Sequence, residues 1–426
     1  MAPTGERELA EWMARQRWYG AKSAAIAGLR VAEQVKLGDG AGLALVEVTA
    51  EGQAAACYAL PEYGGAEGLE SEAVRRRWFT LLAERAERQG ANGSFVFEVL
   101  QPLKELDRSR LLGAEQSNTS VLFRGGQSAW ILKLFRRVQA GENPDFEIPR
   151  ALAEHTLFRN VPAAAGRVLY RPRGGEAATI AVLQAFVANQ GDGWEYVLAR
   201  LRDGSAAALV EDLTLLGRRT AELHCALAAI QSEADFAPEP ITADDEERWR
   251  ARARAGVAAA GAGDAVLLEP WRRALEFGRA GLQALEGCDQ IRIHGDYHLG
   301  QTLKAEGDFY LFDFEGEPAR PLAERRRKGT VLQDVAGMLR SLGYAAHAAG
   351  KPEWEAGARA AFLGAYRRSV TAAPLRLVPE RGADFLAACR FFECEKAVYE
   401  LAYERNHRPQ WVGIPLAALR RMLTEE

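Results

Sequence analysis

Residues 291–318, IRIHGDYHLGQTLKAEGDFYLFDFEGEP, gather His294, Asp296, His298, Gln301, Asp313 and Glu315 onto two short apolar runs and the loops that follow them. Two carboxylates and a carboxamide delivered at adjacent strand ends suit two tasks. They can hold a divalent cation that takes hard oxygen ligands, and they can take a proton from a hydroxyl. That combination is the chemistry of phosphoryl transfer, which demands positioning and charge neutralisation more than covalent help. Asp296 and Gln301 stand five residues apart, the separation of the base and the metal-binding Asn in the kinase catalytic loop. Asp313, in Asp-Phe-Glu-Gly, takes the place of the metal-binding aspartate of the later Asp-Phe-Gly triplet. Taken singly, each residue has a plainer role: a turn for Asp296 or Asp313, a buried hydrogen bond for His294 or His298. The ordered set is what points to catalysis. A metal site on His294, Asp296 and His298 is the competing chemistry, and it lacks a second His-rich segment.

These residues need elements to carry them. Ile291 and Ile293 alternate into a short buried strand, and FYLF (309–312) reads as a second. Far upstream, a helix over 4–16 precedes apolar runs at 26–35, 42–50 and 55–60, which read as an antiparallel meander closed by Pro61 and the glycines at 64 and 65. A helix follows over 67–89, with Leu69, Val74, Trp78 and Leu81 on one face. Turn residues at 89–94 mark a first boundary. Beyond it FVFEVL, SVLFRG and AWILKLFRRV are strands, the last two forming a hairpin across GGQS.

Lys133 interrupts this apolar hairpin strand, as an edge or snorkelling lysine does. Asn143 and Pro144 then start a helix carrying Glu147 and Glu154, either of which can pair with it. The turn at 113–120, with Ser117, Asn118 and Thr119, can offer backbone N–H groups to phosphate oxygens. A third strand, TIAVLQAF, meets VANQGDGW, a second boundary and a candidate hinge whose backbone meets a ligand. After it the chain is helical, over 194–203, 206–231, 242–262, 265–286, 333–349, 352–373 and 381–404. His224 within the second of these reads as a packing or capping residue. On the last, Lys396, Tyr399, Glu400, Tyr403 and Glu404 share a face, and aromatic plates beside hydrogen-bonding groups suit a sugar.

Composition narrows the class. With 426 residues, two or three packed units and a cleft are expected. A net charge of −4 with interspersed signs argues against nucleic acid, and the runs VRRRWF and ERRRKG read as solvated faces. The N-terminus lacks the apolar core of a signal peptide and no window is long enough for a membrane span, so a cytoplasmic protein is expected. Five scattered cysteines, without paired CxxC motifs, read as buried free thiols.

RQRWYGAKS, EQSNTSVLF, ILKLFRR with NPDFE, HGDYHLGQ, DFEGEPARPLAERR, DVAGMLRSLGYAA and EKAVYELAYERNHRPQW together resemble the bacterial maltokinases over nearly the whole chain. These belong to the aminoglycoside-phosphotransferase branch of the protein-kinase-like superfamily. The resemblance implies a bilobal α+β fold with an N-terminal cap subdomain over 1–88, a β-rich nucleotide-binding subdomain over 89–187 and a mainly helical lobe over 188–426. It implies phosphorylation of the anomeric hydroxyl of maltose to maltose 1-phosphate, with ATP and Mg2+, feeding α-glucan synthesis. By match of motif Asp296 is the base, and Gln301, Asp313 and Glu315 hold magnesium. Lys133 meets the phosphates and pairs with Glu147 or, in reserve, Glu154, while backbone around Gln184, Phe186 and Val187 receives adenine. Lys396, Tyr399, Glu400, Tyr403 and Arg408 line the sugar site. In NHRP the inserted His407 departs from the family's Asn-Arg-Pro and loosens the match of Arg408. A stand-alone kinase is expected rather than a fusion with trehalose synthase, and association with such an enzyme is an open partner. A kinase for glucosamine or an aminoglycoside shares the same reaction centre, and a pseudokinase scaffold predicts a lost Lys, Asp or Gln, none of which is lost.

Overall fold

The computed structural model describes residues 6–20, 25–52, 54–63, 66–113, 117–261 and 281–424. The chain divides into two compact units, one of Met1–Arg150 with Pro162–Val187, the other of Ala151–Val161 with Ala188–Glu426. The division falls inside helix Pro144–His155 and again at Val187, in the VANQGDGW stretch.

The first unit carries two antiparallel sheets. Strands Ile26–Gly38, Ala41–Ala50, Ala56–Tyr63 and Arg137–Val138 form one in that order. Pro61 lies inside the third strand rather than closing the meander, opposite Leu43. On the strand's other side Arg137–Val138 pairs only with Tyr58 and Cys57, so a residue without an N–H costs no ladder bond at 61. The second sheet runs Glu87–Gln89, Gly93–Val99, Ala164–Pro172, Ala178–Ala185, Ser128–Phe135, Asn118–Gly125 and Arg108–Leu112.

The helix expected over 67–89 is shorter, Glu72–Ala83. Residues 68–70 form a 3-10 turn before it, and Arg85 at φ 51° ends it, so that 87–89 is already strand. The turn at 89–94, expected to separate two units, joins neighbouring strands of one sheet, with Gln89 opposite Ser94. Trp78, Phe79, Leu81 and Leu82 of the helix pack into one core with Leu37 and Leu43 of the first sheet and Phe95, Phe97 and Phe123 of the second. Alternation along each strand and helical spacing in 72–83 supply those inward faces. Glu33 pins the sheets together from outside that core, accepting N–H bonds from Ala91 at 2.9 Å and Asn92 at 2.7 Å.

The second unit is mainly helical. Gly193–Arg202, Leu209–Ala228, Ala243–Gly261, Leu332–Ala348, Trp354–Val370 and Gly382–His407 take the places the periodicity predicts. Of the helix expected over 265–286, residues 265–280 lie outside the described residues; 281–283 are helical. Two small two-stranded antiparallel sheets interrupt the helices. Asp289–Gln290 pairs with Glu239–Pro240, and Thr302–Ala305 with Asp308–Leu311. The strand expected at 291–293 therefore starts two residues early. Ile291 continues it only as an exchange of backbone hydrogen bonds with Gly329, at 3.1 and 2.8 Å. Cys57 and Cys225 are half-buried and Cys288, Cys389 and Cys394 buried, all as free thiols. Among the described residues no helix is long and apolar enough to cross a membrane.

Candidate active site

In the second unit, the loop that carries Asp296 is held at its backbone by one buried carboxylate. Asp334, on helix Leu332–Ala348, accepts the His294 N–H at 2.8 Å and the Gly295 N–H at 2.9 Å. His224 Nε2 donates to the same carboxylate at 3.1 Å, and the Tyr366 hydroxyl lies 2.8 Å from His224 Nδ1. Burial alone would raise the pKa of Asp334; hydrogen bonding and charge from His224, with His294 and Gly295 adding, hold it below the ordinary value. His224 is thus the packing residue its position in an apolar helix suggests.

Glycine is required where this loop turns. Gly295 has φ +82° and a Cβ there would meet the Cα of Gly316, itself at φ +71°. Gly337 lets the anchoring helix approach, since a Cβ at 337 would lie 2.4 Å from the Tyr297 carbonyl. His294 is buried. Its Nε2–H donates to the Phe312 carbonyl at 2.9 Å, and its ring lies between Phe314 at 4.8 Å and Tyr297 at 5.3 Å. His298 Nδ1 accepts the Gly300 N–H at 3.1 Å, and burial holds its pKa below that of a free imidazole. Both histidines therefore shape the loop through hydrogen bonds of their rings. Asp296 Oδ1 is left as an acceptor facing outward, 3.3 Å from Lys396 Nζ.

The hairpin places the other oxygen donors. Thr302 stands opposite Leu311, so Gln301 and Phe312 flank its open end, joined by a Phe312 N–H to Gln301 carbonyl bond of 3.1 Å. Asp313 follows directly, at φ 66°, a left-handed conformation that costs a non-glycine residue of order 1 kcal/mol or more and concentrates at functional sites. Glu315 lies two residues on, with its carbonyl bonded by Arg325 at 2.8 Å. Oxygen donors of this kind, brought to one hairpin end, fit Mg2+ and its preference for carboxylate and carbonyl oxygens.

Beside this loop is a cavity of about 440 Å³ in the second unit. Asp296, Glu317, Lys396, Arg252, Glu395 and Tyr399 are among the residues that line it. Lys396 Nζ lies 2.7 Å from Glu317 Oε1, and Glu317 also receives Arg320. Burial would raise the Glu317 pKa, but those two cations hold it down to about 2. Arg252 binds Glu395 through two nitrogens, one at 2.6 Å. Of the helix face expected to meet a sugar, Lys396 and Tyr399 reach the cavity, while Glu400, Tyr403 and Arg408 are not among its lining residues. Glu400 is taken by the buried Arg340 at 2.7 Å, and Arg408 by Glu404 at 2.7 Å with its guanidinium over the Trp411 and Tyr403 rings. Glu400 turns to Leu332–Ala348 because burying Arg340 there requires an anionic partner.

In the first unit Lys133 Nζ donates to Asp145 Oδ2 at 3.1 Å, both nearly buried. Asp145 is a partner the helix pattern did not single out. It sits in the first turn with Glu147, which is also buried, while Glu154 is exposed near His155 and Glu233 at the helix end. Asn143 Oδ1 caps Asp145 N–H at 2.9 Å, and Gln184 Nε2 donates to the Asp145 carbonyl at 2.8 Å. The N–H groups of Ala185 and Phe186 already donate to Ala163 and Ala129. Asn118 is buried at a strand start and Thr119 Oγ1 accepts Arg136 at 2.8 Å. Residues 114–116 of the expected phosphate turn lie outside the described residues, next to Ser117.

Asp334, Glu317, Arg252, Glu395 and Asp145 escaped the sequence reading. Asp334 offered one signal, a lone carboxylate on the apolar face of a helix, which must find partners to be buried.

Residues 109–377 match the phosphotransferase enzyme family, and residues 12–73 match the maltokinase N-terminal cap domain. The chain is 30% identical over 334 residues to a glucosamine kinase of Mycolicibacterium smegmatis, 74% of this chain and 80% of that one. It is 29% identical over 364 residues to a glucosamine kinase of Streptacidiphilus jiangxiensis, 79% of each. A crystal structure of a glucosamine kinase superposes with a TM-score of 0.71 at 24% identity, covering 98% of this chain and 99% of that one. At that identity the superposition establishes a shared protein-kinase-like fold.

Proposed function

The chain belongs to the phosphotransferase enzyme family, and from that membership we propose an ATP-dependent kinase that phosphorylates the anomeric hydroxyl of maltose, giving maltose 1-phosphate for α-glucan synthesis. The observation that carries this reading is the placement of Asp296, on a loop clamped by Asp334, in the wall of a cavity of small-molecule size that charged side chains help to line. The maltokinase cap match over 12–73 supports maltose in particular.

In this reading Asp296 accepts the proton of the acceptor hydroxyl as its oxygen bonds to the γ-phosphorus and ADP leaves. Lys396 orients the Asp296 carboxylate, and Asp334 fixes the loop backbone. Gln301 and Asp313, with Glu315, would hold magnesium, which neutralises phosphate charge when bound. Lys133, set by Asp145, would meet the phosphates beside the 117–119 turn, and the strand end at Gln184–Val187 would face the base. Residues 1–88 serve as cap, 89–187 as nucleotide subdomain and 188–426 as the acceptor-binding lobe.

ADP formation by the purified protein with ATP and Mg2+, measured with maltose, glucose, glucosamine and kanamycin, tests this. Maltose is expected to give the highest kcat/KM. Turnover of glucosamine alone keeps the kinase and removes maltose, an outcome favoured by the names of the two relatives. No acceptor-dependent ADP with any sugar removes the kinase reading.

A further inference from the structure

Lys396 sets a cation of the protein's own against the groups a substrate ammonium would seek. Its Nζ is 3.3 Å from Asp296 Oδ1 and 2.7 Å from Glu317 Oε1, and 5.2 Å from the Tyr399 ring centre. Burial would lower its pKa, but Asp296 and Glu317 reverse the sign and raise it, so the ammonium stays charged throughout the neutral range. The rest of the wall has the same character. Seven of its side chains are Lys or Arg and four are Asp or Glu, and three of the four acidic ones are engaged. Asp296 and Glu317 share Lys396, Glu317 also holds Arg320, and Glu395 holds Arg252. Hydroxyl groups can join these pairs by accepting from the cations and donating to the carboxylates. A second ammonium meets a like charge a few ångströms away and finds no carboxylate without a cation beside it among those three.

We propose that Lys396 is a charge filter: with its own ammonium it occupies the carboxylates of the acceptor cavity, so the site selects a neutral polyhydroxy ring over the equivalent cationic amino sugar. This rests on the reading of the cavity as the acceptor site. Lys396 acts here as a specificity residue, in addition to orienting the Asp296 carboxylate that takes the proton.

The matched pair glucose and glucosamine isolates charge at constant ring size. For each, kcat/KM is measured, or the inhibition constant against whichever acceptor is turned over. The expected ratio favours glucose by at least about tenfold at neutral pH and narrows as pH rises and the glucosamine amine loses its proton. Lys396→Met is expected to cut the ratio about tenfold even where both absolute rates fall, and Lys396→Arg to preserve it. Thermal unfolding of both variants identifies loss of fold, and the wild-type ratio with its pH dependence decides the matter if either variant does not fold. Equal or better use of glucosamine by the wild type overturns the filter while leaving the kinase intact. An unchanged ratio in a folded Lys396→Met variant overturns it too. If maltose is turned over and neither glucose nor glucosamine is turned over or inhibits, the filter is overturned while the kinase stands; if no acceptor gives ADP, it is the functional reading that fails.

Discussion

The Asp296 loop and the cavity wall beside it are built on different plans. The loop is tied by hydrogen bonds from buried groups. Asp334 takes two of its N–H groups, His294 reaches the Phe312 carbonyl, Ser341 Oγ accepts the Leu299 N–H at 3.1 Å, and the Tyr297 hydroxyl meets Thr220 at 2.8 Å. The wall is made of long charged side chains joined in pairs, from helices Ala243–Gly261 and Gly382–His407 and the segment around Glu317. A hydrogen-bonded backbone has one arrangement. Paired surface-lining charges can be exchanged one pair at a time without refolding the loop. The difference teaches that reaction and acceptor choice are separable here, as they are wherever a fixed reaction centre is bordered by replaceable side chains.

That separation can be broken in graded ways. Asp296→Asn should lower kcat about 10³-fold while nucleotide binding persists, measured by ADP formation and by titration of ATP. Asp334→Ala should cost about 3–5 kcal/mol of stability, because His224 and two backbone N–H groups lose a buried anion, and about 10²-fold in kcat from the misplaced loop. Urea unfolding and steady-state kinetics check both; a variant with unchanged kcat would show that the loop does not need its clamp.

Acid should act on the wall. The pKa of Glu317 is depressed on folding to about 2, so its contribution is full above the ordinary carboxyl range near 4.5 and is lost as pH falls from there toward 2. The wild type should therefore lose up to about 3 kcal/mol over that window that Glu317→Gln does not lose, read as the difference between their unfolding free energies at each pH. Arg252→Leu, which removes the partner of Glu395, should raise the acceptor KM about tenfold and change kcat about twofold or less. A kcat loss as large as that of Asp334→Ala would dissolve the distinction between loop and wall. Tyr399→Ala is the mildest. The ring is 42% exposed, so stability should stay within about 0.5 kcal/mol, with acceptor KM rising about threefold.

Much of the fold was legible. The helices of the second unit stand where period 3.6 placed them, and the 118–135 hairpin joins across GGQS, because both patterns are local. Errors arose where pairing with another strand, near or far along the chain, overrode the pattern. Residues 87–89 became strand by pairing with 94–96, and the pairing at 289–290 with Glu239–Pro240 moved a strand off Ile293. On helix Gly382–His407, Lys396 and Tyr399 reach the cavity as their spacing suggested, while Glu400, Tyr403 and Glu404 are not among its lining residues. Arg340 and Tyr344, on another helix, draw Glu400 and Glu404 away from the cavity.

By itself the sequence determined the spacing of Asp296, Gln301 and Asp313. A loop and one hairpin span them, so a few dozen residues suffice to bring two of them to the same hairpin end. Only the tertiary structure decided which groups hold and surround them. Asp334 anchors a loop that begins 40 residues before it, Arg252 meets Glu395 across 143 residues, and Lys396 meets Asp296 across 100. The physical reason is that a buried charge must find an opposite charge or a hydrogen bond somewhere, but periodicity along the chain records only that it is buried, not which distant partner satisfies it.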